Sequence, residues 1–173
     1  PGPLMRLSTA YWDSQTLLTA NRIGLFETLA NGPLDGDAIA RALGTEPRPT
    51  RLLLKACVAL GLLEEGPGGF RNSPMSAAFL VPGTPAYLGN AIRYSDNLYT
   101  TWGKLETALR EGRPPMAAET YLGENKQITR DFVYAMHERA LSVGGAMVGL
   151  VDLSERTRML DVGGGPGTYS ALF

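Results

Sequence analysis

The sequence predicts a mainly α-helical chain, and three observations carry that expectation. Apolar residues recur at intervals of three, four and seven through most of its length. The first half follows the order helix, helix, helix, hairpin, which is the order of a winged-helix module. Near the end, the short apolar run Arg158-Met159-Leu160-Asp161-Val162 reads as a strand feeding the glycine-rich Gly163-Gly164-Gly165-Pro166-Gly167. Strand, glycine loop and helix open a nucleotide-binding βαβ unit. The predicted class is therefore mainly α, a winged helix plus further helices, followed by the first βα element of a Rossmann-like α/β domain.

Taken in order, Leu4, Leu7, Tyr11, Leu18, Leu25 and Leu29 mark two helices between Leu4 and Ala30, with a break near Asn21–Gly24. Asn31-Gly32-Pro33 stops them. A short helix is expected over Asp37–Leu43, opened by Asp35 or Gly36 and closed by Gly44. A third runs from Thr50 to about Leu62, after Pro47 and Pro49. Leu62–Glu65, Gly66–Gly69 and Phe70–Ser73 read as strand, turn and strand. Two longer helices follow Pro82 and Pro85. The first carries Leu88, Ile92, Tyr99, Trp102, Leu105 and Leu109, ending at Gly112. The second carries Ile128, Phe132, Met136, Val143, Met147 and Leu150, with a bend expected at Gly144-Gly145.

Composition narrows the function. The 173 residues are 44% hydrophobic and hold 16 Lys+Arg against 17 Asp+Glu. That size fits one domain or one and a piece of another. A near-neutral chain has no electrostatic footprint for nucleic acid or anionic lipid. No apolar run is long enough to span a membrane, and no secretory signal opens the chain. Cys57 is the only cysteine, so no intrachain disulfide can form and a reducing, cytoplasmic compartment is expected. No metal-ligand spacing stands out.

The glycine loop carries the chemistry. A dinucleotide loop of the G-x-G-x-x-G type would need glycine where Thr168 stands, and a phosphate loop would need a lysine that is absent. Asp161, at the end of the expected strand, would repel a pyrophosphate. It would favour a ligand bearing an ammonium or sulfonium charge.

The D-x-G-x-G-x-G spacing of Asp161 to Gly167 resembles motif I of the S-adenosylmethionine-dependent methyltransferases. The resemblance covers the whole chain. Ile23-Gly24-Leu25-Phe26-Glu27-Thr28-Leu29, Ala59-Leu60-Gly61-Leu62-Leu63-Glu64, Trp102-Gly103-Lys104-Leu105, Arg110-Glu111-Gly112-Arg113-Pro114, Phe132-Val133-Tyr134-Ala135-Met136 and Leu160 to Gly165 follow in order. Together they resemble the N-terminal half of the small-molecule O-methyltransferase family that includes caffeate-type and acetylserotonin-type enzymes and bacterial relatives. The resemblance implies S-adenosyl-L-methionine as cofactor, held by Asp161, Gly163, Gly164, Gly165 and Gly167. It implies a homodimer formed through the winged helix, and a small aromatic or phenolic acceptor from secondary metabolism. It further implies a division into a dimerisation domain at 1–84, pocket-lining helices at 85–152 and the start of the cofactor domain at 153–173.

The same resemblance puts Phe132 and Met136 in the acceptor pocket; Tyr94, Asn97, Leu98 and Trp102 on the preceding helix are weaker candidates, since helix aromatics more often pack than recognise. At i and i+4, Phe132 and Met136 equally suit the packed face of a helix. The family's catalytic base is a histidine far downstream of motif I, so none is assigned here, and His137 is expected at a solvated or interdomain position. The resemblance thus implies the N-terminal part of such an enzyme, ending just after motif I and expected to be inactive by itself. A winged-helix dimerisation or regulatory module without catalysis is the alternative. DNA reading is disfavoured: residues 1–80 hold seven basic and seven acidic residues, and the would-be recognition helix, Leu52 to Leu60, is nearly all apolar.

Overall fold

Helix α1 begins at the very start of the chain, with Pro1 and Pro3 where the first-turn N–H groups have no intrahelical partner. It spans Gly2–Arg22, and Gly24 at φ 79° turns the chain into α2, Leu25–Thr28. The break at Asn21–Gly24 thus falls where the sequence puts it. The computed structural model describes residues 1–121 and 123–173. These divide into two compact units, Pro1–Gly89 and Asn90–Phe173.

In the first unit, α3 (Gly36–Leu43) is capped by the Asp35 carboxylate, which accepts the N–H groups of Asp37 at 3.0 Å and Ala38 at 2.9 Å. Gly44 closes α3 in the left-handed conformation. Helix α4 covers Pro47–Ala59, starting earlier than expected because both prolines fit its first turn. Strands β1 (Leu63–Gly66) and β2 (Gly69–Asn72) pair antiparallel across a two-residue Pro67-Gly68 turn. Leu34 forms an isolated antiparallel bridge to Phe70, its N–H donating to the Phe70 carbonyl at 3.0 Å and its carbonyl accepting from Phe70 at 2.8 Å. Phe26, Leu25, Ile39, Leu54, Leu63 and Cys57 are the largest apolar side chains buried where these elements close. Burial pushes the Cys57 thiol up to about 11, so it packs as a small apolar group.

Two details differ from the sequence reading. A further helix, α5 (Pro74–Phe79), follows β2, its N-terminus capped by Ser73. The Ser-Pro pair is a cap followed by a first-turn proline, a signal available in the sequence. Helix α4 is amphipathic and not nearly all core, since Leu52 is 65% exposed. Its cations are largely engaged: Arg51 pairs with Asp37, and Lys55 with Glu65 at 2.6 Å.

The backbone bonds from Ala38 and Asp37 hold the Asp35 carboxyl below the usual aspartate value. A folded-state pKa below the unfolded one means the stabilisation is complete above the unfolded value. It is lost as pH falls through the folded value. Acid unfolding below about pH 4 is expected to include a component that Asp35→Ser removes, because serine caps without titrating. Identical acid limbs for the two proteins would overturn this.

The second unit begins along α6 (Gly89–Trp102). The single helix expected through Leu109 is instead interrupted at Gly103-Lys104, and α7 (Leu105–Glu111) ends at Gly112 with φ 64°. A 3-10 turn at Ala118–Tyr121 precedes α8, Lys126–Val148. The side chain of Asn125 caps α8, accepting from Gln127 and Ile128. Glu138, 6% exposed on α8, accepts from the Asn90 side chain and from the Ala91 N–H at 2.9 Å. That carboxylate therefore caps the first turn of α6, where the helix dipole favours negative charge.

The expected strand at 158–162 is corrected. Among the described residues the only sheet is the two-stranded β1–β2 hairpin, and 158–162 is unpaired chain with Leu160 and Val162 each 86% exposed. A strand exists only through hydrogen bonds to a neighbour, and no described segment supplies one. The helix after the loop does form, as α9, Thr168–Leu172. The fold is mainly helical as predicted, 61% of it helix.

Candidate functional site

Asp161 folds back onto the loop that follows it. Its carboxylate accepts a hydrogen bond from the Ser170 hydroxyl on α9 and lies so close to Gly164 that a Cβ there would sit 2.6 Å from Oδ2. Gly163, Gly165 and Gly167 take φ values of 75°, 53° and 71°. Three of the loop glycines are thus required by backbone conformation, and Gly164 by the approach of a carboxylate. The Gly167 N–H closes the turn on the Gly164 carbonyl at 2.8 Å. The result is an exposed ribbon of peptide groups with one negative side chain beside it.

The loop is held against α8 at two points. His137 Nδ1 and Thr168 Oγ1 are 2.7 Å apart, and Thr168 is 4% exposed. His137 therefore ties α8 to the first residue of α9, the second of the two expected positions, solvated or interdomain, since it joins the 85–152 helices to the 153–173 segment. At Gly144, an added Cβ would meet Leu172 Cδ1 at 2.3 Å. The helix continues through Gly144-Gly145 to Val148, so the Gly144 position is explained by the crossing of α9. Gly144→Ala is expected to cost about 1–2 kcal/mol by overpacking. Because the obstructing atom ends a flexible side chain, Leu172→Ala in the same protein should recover much of that loss. A denaturation double-mutant cycle showing no coupling would overturn it.

A cleft of about 870 Å³ lies between α8 and the loop. It brings Phe132 and Met136 together with Asp161, Gly163, Gly164 and Gly165. Gly167 stands behind it as the N-terminal cap of α9. Trp102 is not among these residues: it is 68% exposed and lines a small apolar hollow with Leu105 and Pro115. Sequence reasoning missed Arg139 and Val143, which also line the cleft. Their signal was legible, since 132, 136, 139 and 143 share one face of a helix. Behind Phe132, Tyr121 stacks on its ring at 5.1 Å, and Tyr94 tilts against it at 5.5 Å. Burial, with Tyr94 alongside, raises the Tyr121 phenol above its ordinary value. Among the described residues no group of His, Cys, Asp or Glu side chains could hold a metal ion, and no helix is long and apolar enough to cross a membrane.

Comparison with known proteins gives this arrangement its setting. Residues 5–82 match the O-methyltransferase dimerisation domain. The chain is 36% identical over 172 residues to 3-hydroxy-5-methyl-1-naphthoate 3-O-methyltransferase of Streptomyces sahachiroi, covering 96% of this chain and 50% of that protein. It is 38% identical over 119 residues to the N,N-dimethyltransferase OxyT of Streptomyces rimosus, covering 68% of this chain and 35% of that one. The crystal structure of human N-acetylserotonin methyltransferase in complex with SAM superposes with a TM-score of 0.85 at 30% identity, covering 98% of this chain and 54% of that one. The chain spans about half the length of the naphthoate enzyme and of the human structure. With a helical fold, a glycine loop behind Asp161 and these likenesses, the chain belongs to the S-adenosylmethionine-dependent small-molecule O-methyltransferase family.

Proposed function

We propose that this chain is part of a homodimeric enzyme that methylates a hydroxyl of a small aromatic metabolite, with S-adenosyl-L-methionine as donor. The observation that supports it best is the single cleft joining Asp161 and the loop glycines to Phe132 and Met136. The residues fit such a donor. The loop presents peptide groups without side chains, and the Asp161 carboxylate complements positive charge at the amino-acid end. When bound, the cofactor supplies an electrophilic methyl on a sulfonium. The protein's own part is to hold the acceptor ring: Phe132 offers a face, and Met136 a polarizable contact for a ring edge. No general base is assigned among these residues: His137 is not among the residues that line the cleft, and its ring is turned to Thr168.

In this reading residues 1–84 dimerise, 85–152 line the acceptor side and 153–173 open the cofactor domain. The exposure of Leu4 (73%), Leu7 (76%) and Trp12 (60%) on α1 supports pairing with a second copy. The paired cations of α4 support a module that does not grip DNA. The likeness to an N,N-dimethyltransferase makes an aromatic amine the competing acceptor. Incubating the full-length protein with S-adenosylmethionine and matched panels of phenols and anilines, read by mass spectrometry, tests both. Methylated phenols are expected, and methylated anilines alone would overturn the choice of oxygen. The 173 residues by themselves are expected to give no turnover, since 158–162 is unpaired in this chain.

A further inference from the structure

Arg139 and Asp161 are the two charged residues among those described that line the cleft. They are differently placed. Asp161 belongs to the glycine loop, whereas Arg139 projects from α8, seven residues after Phe132 and three after Met136. Its guanidinium lies over the Tyr94 ring, 5.1 Å from the centroid, and Tyr94 in turn packs on Phe132 at 5.5 Å. Nη2 of Arg139 donates to the Ser95 hydroxyl at 2.9 Å. A stacked ring and one hydrogen bond fix the plane of the guanidinium and leave most of its donors unused.

No carboxylate among the described residues lies within ion-pair distance of Arg139. An oriented guanidinium without a counter-ion, beside an aromatic floor and facing a cleft, matches a flat anion. Planar carboxylates are what a guanidinium fork receives best.

We propose that Arg139 selects the acceptor: it pairs with a carboxylate on the aromatic substrate while Phe132 and Met136 hold the ring. The substrate class is then an aromatic hydroxy acid. The proposal rests on the methyltransferase reading above and adds to it the charge of the acceptor. The cofactor also carries a carboxylate, at its amino-acid end, and could offer the same chemistry. The position of Arg139 at the aromatic cluster, and not on the loop, assigns it to the acceptor.

Fluorescence titration of the full-length protein with 3-hydroxy-2-naphthoate and its methyl ester, in saturating S-adenosylhomocysteine, tests this. The acid is expected to bind the unaltered protein about ten-fold or more tightly than the ester. Arg139→Met should weaken the acid to the level of the ester and leave the ester unchanged. Arg139→Lys, which keeps the charge but not the fork, should fall between. Affinity for S-adenosylhomocysteine should be the same in all three proteins, which also reports an intact fold. No preference for the acid, or equal effects of Arg139→Met on acid and ester, overturns the proposal. A loss confined to S-adenosylhomocysteine overturns it in favour of the cofactor's carboxylate. An unaltered protein that binds no S-adenosylhomocysteine refutes the underlying methyltransferase reading instead.

Discussion

Gly69→Ala is expected to lower stability by about 3 kcal/mol, from left-side backbone strain and steric overlap together. Gly69 stands at φ 103°, and a Cβ there would lie 2.3 Å from the Leu34 carbonyl oxygen and 2.9 Å from the Asp35 nitrogen. Both obstacles are backbone, so no side chain can move aside. The segment they belong to is the Leu34–Phe70 bridge and the cap of α3. The damage therefore reaches the hairpin and a helix at once. Gly66, at the other end of the same turn, has no atom within 4 Å of an added Cβ. Gly66→Ala should stay within about 0.5 kcal/mol of the unaltered protein. Urea denaturation of the two variants checks the pair, and equal midpoints would sink the argument.

Asp161→Asn is expected to weaken binding of S-adenosylmethionine by about ten-fold or more, through loss of one charge-assisted interaction. Asparagine keeps the shape beside Gly164 and can still accept from Ser170, so the loop retains its packing while its charge is gone. Adenosine lacks the amino-acid end and the sulfonium, and its affinity should be unchanged by the substitution. Calorimetry with both ligands on the full-length protein separates the cases. Equal losses for both would mean that Asp161 acts by shaping the loop and not by its charge. Gly164→Val is expected to impair both ligands, because the added carbons occupy the place of the carboxylate itself.

Local chemistry made much of this protein legible in the sequence. The cap and stop of α3 were readable because Asp35 and Gly44 act on their nearest neighbours. The hairpin was readable because its turn residues and register are contained in a dozen positions. Asp161 and the loop glycines were readable because a glycine loop declares its backbone by composition. Other features depended on distant partners. The Leu34–Phe70 bridge joins residues 36 positions apart. Arg139 gained its orientation from Ser95 and Tyr94, and His137 gained its from Thr168; neither pairing follows from a periodic pattern.

The run at 158–162 shows the limit most plainly. Its apolar residues specify a preference for extended chain, but a strand is a property of two segments. Likewise Gly144 reads as a weak point in a helix until α9 is seen to cross it at Leu172. The sequence alone determined helices, caps, turn and loop, since each is set by interactions within a few residues. Tertiary structure alone decided which side chains face the cleft, Arg139 among them, and which glycine makes room for a neighbour. Those outcomes depend on contacts between residues far apart in the chain, and local propensity carries no record of them.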